Sequence, residues 1–318
     1  MKLLAEQIQQ ARHENQTLQI VGGNSKVPLN DTAQVLSIQE HSGILSYEPA
    51  ELVITARAGT RLQELQQVLA EKKQMLAFEP PEYGNSTIGG TYACALTGPA
   101  RPFRGKLRDY VLGTKLLDGQ GRALSFGGKM IKNVAGYDVS RMLAGSKGSM
   151  ALVTELSLKV VPLVEEVTYR IEMPECEAIV LMNQLAGTSL PLSGAAYYGG
   201  YFYYRVMGAH PKQTNRVGVE AVDNQVWQTL NPFRPKLPPG QKLWRLDVES
   251  TTPCIDGTIA VGMCGSRRWV ASEHKPEHPY VTLWDERFLP RHNDGLGVQK
   301  IKQGLKKVFD PYHVFQDL

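Results

Sequence analysis

The sequence predicts an α+β protein in two parts that meet near Pro162. Strand-like and helix-like stretches interleave irregularly through the first half. A run from Met150 to Val161 alternates Leu152, Thr154, Leu156, Leu158 and Val160 with Val153, Glu155, Ser157 and Lys159, the period-two signature of a half-buried strand, and Pro162 stops it. After Pro162 the order strand, helix, hairpin, helix, strand is expected, which is the β-α-β-β-α-β arrangement of a ferredoxin-like sheet with helices on one face. The expected domains are therefore residues 1–162 and 163–318.

The elements follow in order. Leu3, Leu4, Ile8 and Ala11 form a helical apolar stripe over residues 3–12. A short strand, Leu18 to Val21, runs into Gly22-Gly23-Asn24-Ser25-Lys26, and a second, Leu52 to Arg57, leads through Gly59 to Thr60. Thr60 with Gln63 reads as a capping box ahead of Leu62, Leu65 and Leu69. Val111 to Leu117 and Ala123 to Phe126 read as a hairpin turning at Asp118-Gly119. Asp138 is placed to cap a short helix, Val139 to Ala144, closed by Gly145. In the second half the expected elements are a strand at 167–172, a helix at 175–185 and a hairpin through Gly199-Gly200. A helix near 224–230, strands near 243–248 and 258–264, and a final helix from Val298 to Phe309 complete it.

Composition excludes several classes. The 35 basic and 31 acidic side chains leave a net charge of +4, without any basic run interleaved with aromatics, so no nucleic-acid partner is expected. The pairs Lys72-Lys73, Arg267-Arg268 and Lys306-Lys307 read as solvated faces. No transmembrane segment and no secretory leader are expected. Cys94, Cys176, Cys254 and Cys264 are too far apart for an iron–sulfur or zinc site and read as small buried thiols in a reducing cytoplasm; no metal is expected. Tyr197, Tyr198, Tyr201, Tyr203 and Tyr204 are either an interface or a packed sheet face. Gly119-Gln120-Gly121 lacks the third glycine of a dinucleotide fingerprint, and Pro276 breaks the helix that would align His274 with His278.

The densest chemical signal is a set of three small-residue segments. In Gly22–Lys26, glycine lets successive N–H groups turn toward one point, a nest for phosphate oxygens, with the Ser25 hydroxyl and the Lys26 charge beside it. The second segment runs from Pro80-Pro81 through Ser86-Thr87-Ile88-Gly89-Gly90-Thr91-Tyr92-Ala93 to Gly98, and the third from Lys132 through Gly136 to Gly148. Three such loops, each at a strand or helix end, are suited to close on one extended cofactor.

The run Gly89–Glu155, with Gly22–Lys26 ahead of it, resembles the PCMH-type FAD-binding domain of the vanillyl-alcohol-oxidase superfamily. Within it, GPARPFRGKLRDYVLG (Gly98–Gly113) and FGGKMIKNVAGYDVSRMLAGSKG (Phe126–Gly148) are similar to the smaller flavin subunits of bacterial glycolate oxidases. The resemblance is strong in the first half. In the second half it rests on Leu243-Trp244-Arg245 and the closing segment Asp310–Phe315.

This resemblance implies two subdomains clasping FAD under a ferredoxin-like cap. Gly22, Gly23, Asn24, Ser25 and Lys26 are then expected on the diphosphate, with Pro80, Thr87, Gly89, Gly90, Ala93, Gly98, Gly136, Gly148 and Val153 lining the rest of the cofactor. Asn24 stands where covalent relatives carry a histidine, which implies dissociable FAD. Arg104, Lys132 and Asn133 are the implied catalytic candidates; His210, His292 and His313 are weaker candidates for a base. The implied activity is oxidation of a 2-hydroxyacid, glycolate or D-lactate. The implied partners are a larger flavin subunit and an iron–sulfur subunit, with any membrane association peripheral and through them. An electron-relay or assembly role stays open beside direct catalysis, and so does a reductase of the enolpyruvyl-sugar type.

Overall fold

The computed structural model describes residues 1–128, 138–208, 218–284 and 295–317. The first helix, α1 (Lys2–His13), buries Leu4, Ile8 and Ala11, while Leu3 points outward. It covers a two-stranded parallel sheet of β1 (Leu18–Val21) and β2 (Gln34–Ser37), and Phe315 bridges to Leu18 at its edge.

The main sheet of the first half has five antiparallel strands. They are β3 (Ile44–Glu48), β4 (Val53–Arg57), β6 (Val111–Leu117), β7 (Ala123–Gly127) and β8 (Leu152–Lys159). Their spatial order is β3-β4-β8-β6-β7, so the alternating strand expected before Pro162 is the centre of the sheet. Helix α2 (Leu62–Glu71) covers it with Leu62, Leu65 and Leu69, all at 0% exposure; full burial of each contributes about 1.5–3 kcal/mol. The predicted capping box does not form. The helix starts after Arg61, and the Thr60 hydroxyl instead donates to the Arg57 carbonyl at 2.7 Å and accepts from the Gly43 N–H at 2.9 Å, tying two loops together. Asp118 closes the β6–β7 turn by accepting from the N–H groups of Gln120 and Arg122, both at 2.9 Å. Asp138 caps α5 (Val139–Met142), a shorter helix than expected.

Two short strands, β5 (Gln74–Met75) and β9 (Val161–Pro162), pair at the exit from this half. Between β5 and β6 lie the short helices α3 (Ile88–Ala93) and α4 (Arg101–Arg104).

The second half holds an eight-stranded antiparallel sheet in the order β13-β10-β12-β11-β15-β16-β14-β17. Its members are β10 (Glu166–Glu172), β11 (Leu192–Tyr198), β12 (Tyr201–Met207), β13 (Val219–Val222), β14 (Lys242–Asp247), β15 (Thr258–Gly262), β16 (Arg267–Ser272) and β17 (Val281–Leu283). Helix α6 (Glu175–Ala186) crosses from β10 to β11 with β12 between them, and α7 (Gln225–Leu230) follows β13. This sheet is larger than the four-stranded one expected.

Tyr204 is buried and stacks on Tyr169 and Phe202, and the other four tyrosines of that cluster are half-buried, so it is a packed sheet face. Cys176 and Cys254 form a disulfide, which corrects the expectation of four free thiols. Sheet topology brings together residues 78 apart in sequence, a proximity that spacing alone does not reveal.

The last helix, α8 (Leu296–Phe309), returns to the first half, where Phe309 packs against Phe126. Asp310, at 0% exposure, holds the turn beyond it by accepting from the N–H groups of Val314 and Phe315 at 2.8 Å and from Lys306 at 2.9 Å. Lys306 also donates to the Ser149 and Phe315 carbonyls, so of the pair Lys306-Lys307 only Lys307 is exposed as expected. Among the described residues no helix is long and apolar enough to cross a membrane.

Candidate functional site: a glycine-lined groove and an adjoining arginine-lined cavity

Beyond Val21 the chain bends through Gly22–Val27 and passes directly against the loop ahead of α3. A side chain at Gly23 would overlap the Asn85 carbonyl oxygen, and one at Gly22 would meet the Thr87 hydroxyl at 2.6 Å. On the other side of α3, a Cβ at Gly89 would sit 2.7 Å from both Cβ and carbonyl oxygen of Ala58. The glycines therefore let three backbones touch where any other residue would wedge them apart.

The result is a groove between these loops. Gly22, Gly23, Asn24, Ser25 and Lys26 line one wall. Thr87, Gly89, Gly90 and Ala93 line another, and Gly148 and Val153 line the floor with Ser146 and Lys147. These expected residues meet at one groove.

The two main walls differ in what they offer. The N–H groups of Ile88, Gly89 and Gly90 are already taken, by the Thr60 carbonyl, the Ala58 carbonyl and the Thr87 hydroxyl. None of the N–H groups of residues 22–26 donates to another group among the described residues. Residues 22–25 are half-buried or exposed, and their main-chain donors are available to an acceptor that the groove admits.

Lys26 stands at the same wall with only 6% of its surface exposed. Its ammonium lies 2.8 Å from the Ser25 carbonyl and 3.0 Å from the Ser25 hydroxyl, and 3.1 Å from the centre of the Tyr83 ring. Burial, opposed by Cys94 and aided by Arg234, pulls its pKa down to about 7. Burial likewise pushes Tyr83 up to about 12, so its ring presents a neutral phenol to the ammonium. A desolvated lysine beside five open N–H groups suits a phosphate or diphosphate. The residues present therefore fit a dinucleotide cofactor.

Not every expected residue lies here. Pro80 and Gly98 are outside the groove lining; Gly98 packs against the Glu79 carbonyl and the Asn231 side chain. Lys132, Asn133 and Gly136 lie outside the described residues, as do His210 and His292. His313 is exposed near the end of the chain and lines neither space.

Arg104 faces neither space. Its guanidinium lies 2.6 Å from Glu166 and 3.3 Å from Glu79, while Arg205 lies 2.6 Å from Glu79 and 3.4 Å from Glu166. These four largely buried groups form a neutral square that joins the two halves of the molecule. Arg104 is thus spent on carboxylates of its own chain and does not present a charge to a substrate.

A second and larger cavity lies between the first half and the large sheet. Cys94, Leu96 and Lys147 line both spaces, so the groove and the cavity adjoin. Trp269 and Trp284, in edge contact at 4.8 Å, wall it on one side with Phe233. Arg101, Arg245 and Arg267 also line it, and no sequence reading gave them a role. Arg267-Arg268 read as a solvated pair, yet Arg268 is at 0% exposure and donates to the Thr252 carbonyl at 2.8 Å. A strand sends consecutive side chains to opposite faces, so β16 turns one arginine into the protein and the other toward the cavity.

An α+β scaffold whose glycine loops leave main-chain donors and a buried lysine around a groove defines a nucleotide-cofactor-binding oxidoreductase domain. Residues 2–127 match the family model described as "FAD binding domain". The chain is 40% identical over 282 residues, 85% of its length, to glycolate oxidase subunit GlcE of Escherichia coli (strain K12), covering 80% of that protein. The chain belongs to the family of that glycolate oxidase subunit and binds FAD. More limited likeness extends to glycolate oxidase subunit GlcD of Bacillus subtilis (strain 168), 32% identical over 128 residues, 40% of this chain and 27% of that one. A D-lactate dehydrogenase of Anaerostipes hadrus is 30% identical over 165 residues, 49% of this chain and 34% of that one. The chain thus spans about a third or less of the length of these two relatives.

Proposed function

We propose that the chain is the smaller flavin subunit of a complex that oxidises a 2-hydroxyacid, glycolate or D-lactate, and that its FAD is held without a covalent bond. The observation that carries this reading is the groove itself. Five open N–H groups and a buried Lys26 line it, and it adjoins a cavity walled by arginine and tryptophan, in a chain 40% identical to a glycolate oxidase subunit. The likeness to GlcD and to D-lactate dehydrogenases supports the substrate class.

In this reading Gly22–Lys26 hold the diphosphate, and Thr87, Gly89, Gly90, Ala93, Gly148 and Val153 shape the remaining walls. When bound, FAD supplies a two-electron acceptor that no side chain provides. The protein's residues hold it, keep water from its buried edge and leave the adjoining cavity for the acid. Residues 1–162 and 163–318 act as cofactor domain and cap, with the last helix folding back onto the first. The order β13-β10-β12-β11, with α6 crossing over β12, is consistent with a ferredoxin-like core widened by four further strands.

A larger flavin subunit and an iron–sulfur subunit are the proposed partners, in the cytoplasm, with any membrane contact made through them. Anaerobic mixing of the FAD-loaded chain with glycolate and D-lactate tests the reading. Loss of the visible flavin band with the chain alone supports direct oxidation. Loss only after the larger flavin subunit is added supports a relay role within the complex. Persistence of the band in both cases contradicts the function. Denaturation should release the yellow chromophore into the filtrate, whereas colour retained on the chain contradicts non-covalent attachment.

A further inference from the structure

Among the described residues more cations than carboxylates line the cavity beside the groove. Arg101, Lys106, Arg108, Lys147, Arg245 and Arg267 line it, against the two carboxylates Asp109 and Asp247 among the described residues. Asp109 is turned back to its own loop, where it accepts from the Lys106 N–H at 2.8 Å. Asp247 lies 2.9 Å from the Arg245 guanidinium and 3.1 Å from that of Arg267, fixing both in place along adjacent strands. Arg101, at the first turn of α4, has neither a hydrogen bond nor an ion pair from its side chain among the described residues.

The contrast with the Arg104 square is informative. There two cations meet two anions and the charge closes on itself; here Arg245 and Arg267 share one carboxylate, Asp247, and Arg101 has no ion pair among the described residues. Burial lowers the Arg101 pKa, with the charge of Arg267 adding to the effect, and burial followed by the charge of Arg267 brings Arg245 down to about 10. Both shifts describe half-desolvated cations that an added anion would stabilise. Guanidinium is the group best matched to carboxylate, because its donors present a planar fork.

Resting on the hydroxyacid reading above, we propose that Arg101 and Arg267 receive the substrate's carboxylate in this cavity, with Asp247 orienting Arg267. Arg101 comes from the cofactor half and Arg267 from the large sheet, so the site is complete only when the two halves are joined. The acid's carbon end then lies among Trp269, Trp284 and Phe233, and the shared lining of Cys94, Leu96 and Lys147 connects it to the groove.

The test uses the full FAD-loaded chain and oxalate, a two-carbon carboxylate that cannot be oxidised as an alcohol. Binding is followed by calorimetry and by the change in the visible flavin spectrum. Among the described residues Arg101 takes part in no ion pair, so Arg101→Gln should fold and keep its FAD while weakening oxalate about tenfold or more, the loss expected for one charged hydrogen-bonding group. Arg101→Lys should recover part of the affinity, and Arg267→Gln should weaken oxalate to a similar degree. Equal oxalate affinity in wild type and Arg101→Gln, or equal affinity of wild type for oxalate and neutral oxamide, overturns the proposal. A wild-type chain that keeps its FAD but binds no oxalate also overturns it and leaves the flavin assignment standing. A wild-type chain that binds no FAD overturns the reading beneath it.

Discussion

FAD binding should weaken as pH rises through neutrality, because of Lys26. A lysine in the unfolded chain titrates near 10.5, whereas burial brings Lys26 to about 7 in the cofactor-free fold. Its charged form is therefore the disfavoured one in the empty groove, and a diphosphate restores it. Above pH 7 binding must take up a proton, so affinity falls with each unit of pH. If the lysine stays charged in the complex, the charged fraction of the free protein sets the affinity. That fraction drops about 30-fold between pH 6 and 8.5, equivalent to about 2 kcal/mol. The assay is quenching of FAD fluorescence on titration with apoprotein at constant ionic strength. Lys26→Met should bind more weakly at pH 6 and show no such slope. A flat wild-type profile, or the same slope in Lys26→Met, would refute the assignment of Lys26 to the anion.

Three other outcomes are expected. Gly23→Ala should abolish FAD binding without unfolding the large sheet, because its methyl group would overlap the Asn85 carbonyl; unchanged FAD content on purification would contradict the close approach of the two loops. Removing one member of the neutral square, as in Arg205→Met, leaves a buried carboxylate uncompensated and should cost about 3–5 kcal/mol in urea unfolding, with a cost under about 1 kcal/mol counting against the square as the joint between the halves. Denatured protein prepared without reductant should show two reactive thiols and, after reduction, four; four without reductant would contradict the Cys176–Cys254 bond and accord with a reducing compartment.

Much of the cofactor groove was legible in the sequence, because glycine has few reasons to cluster after a strand. Gly22-Gly23 and Gly89-Gly90 occur where backbones meet, and the structure brings both runs to one groove. The centre of the main sheet was equally legible, since alternation from Leu152 to Lys159 reports burial on one face directly. Arginine was read less well. A charged residue announces its sign but not its partner, so Arg104 looked available although Glu79 and Glu166 enclose it. Arg101 had no role in the sequence reading and Arg267 read as a solvated residue, because only the sheet and the short helix α4, far apart in sequence, bring them to one cavity. Two of the extra strands of the large sheet, β13 and β17, were missed because they are short, at four and three residues, and carry little periodicity.

A structure determined after reconstitution with FAD addresses the main claim most directly. The diphosphate is expected against the N–H groups of residues 22–26 and the Lys26 ammonium, with Thr87–Ala93 closing over the other side. A diphosphate bound elsewhere, with those five N–H groups left facing solvent, would contradict the account.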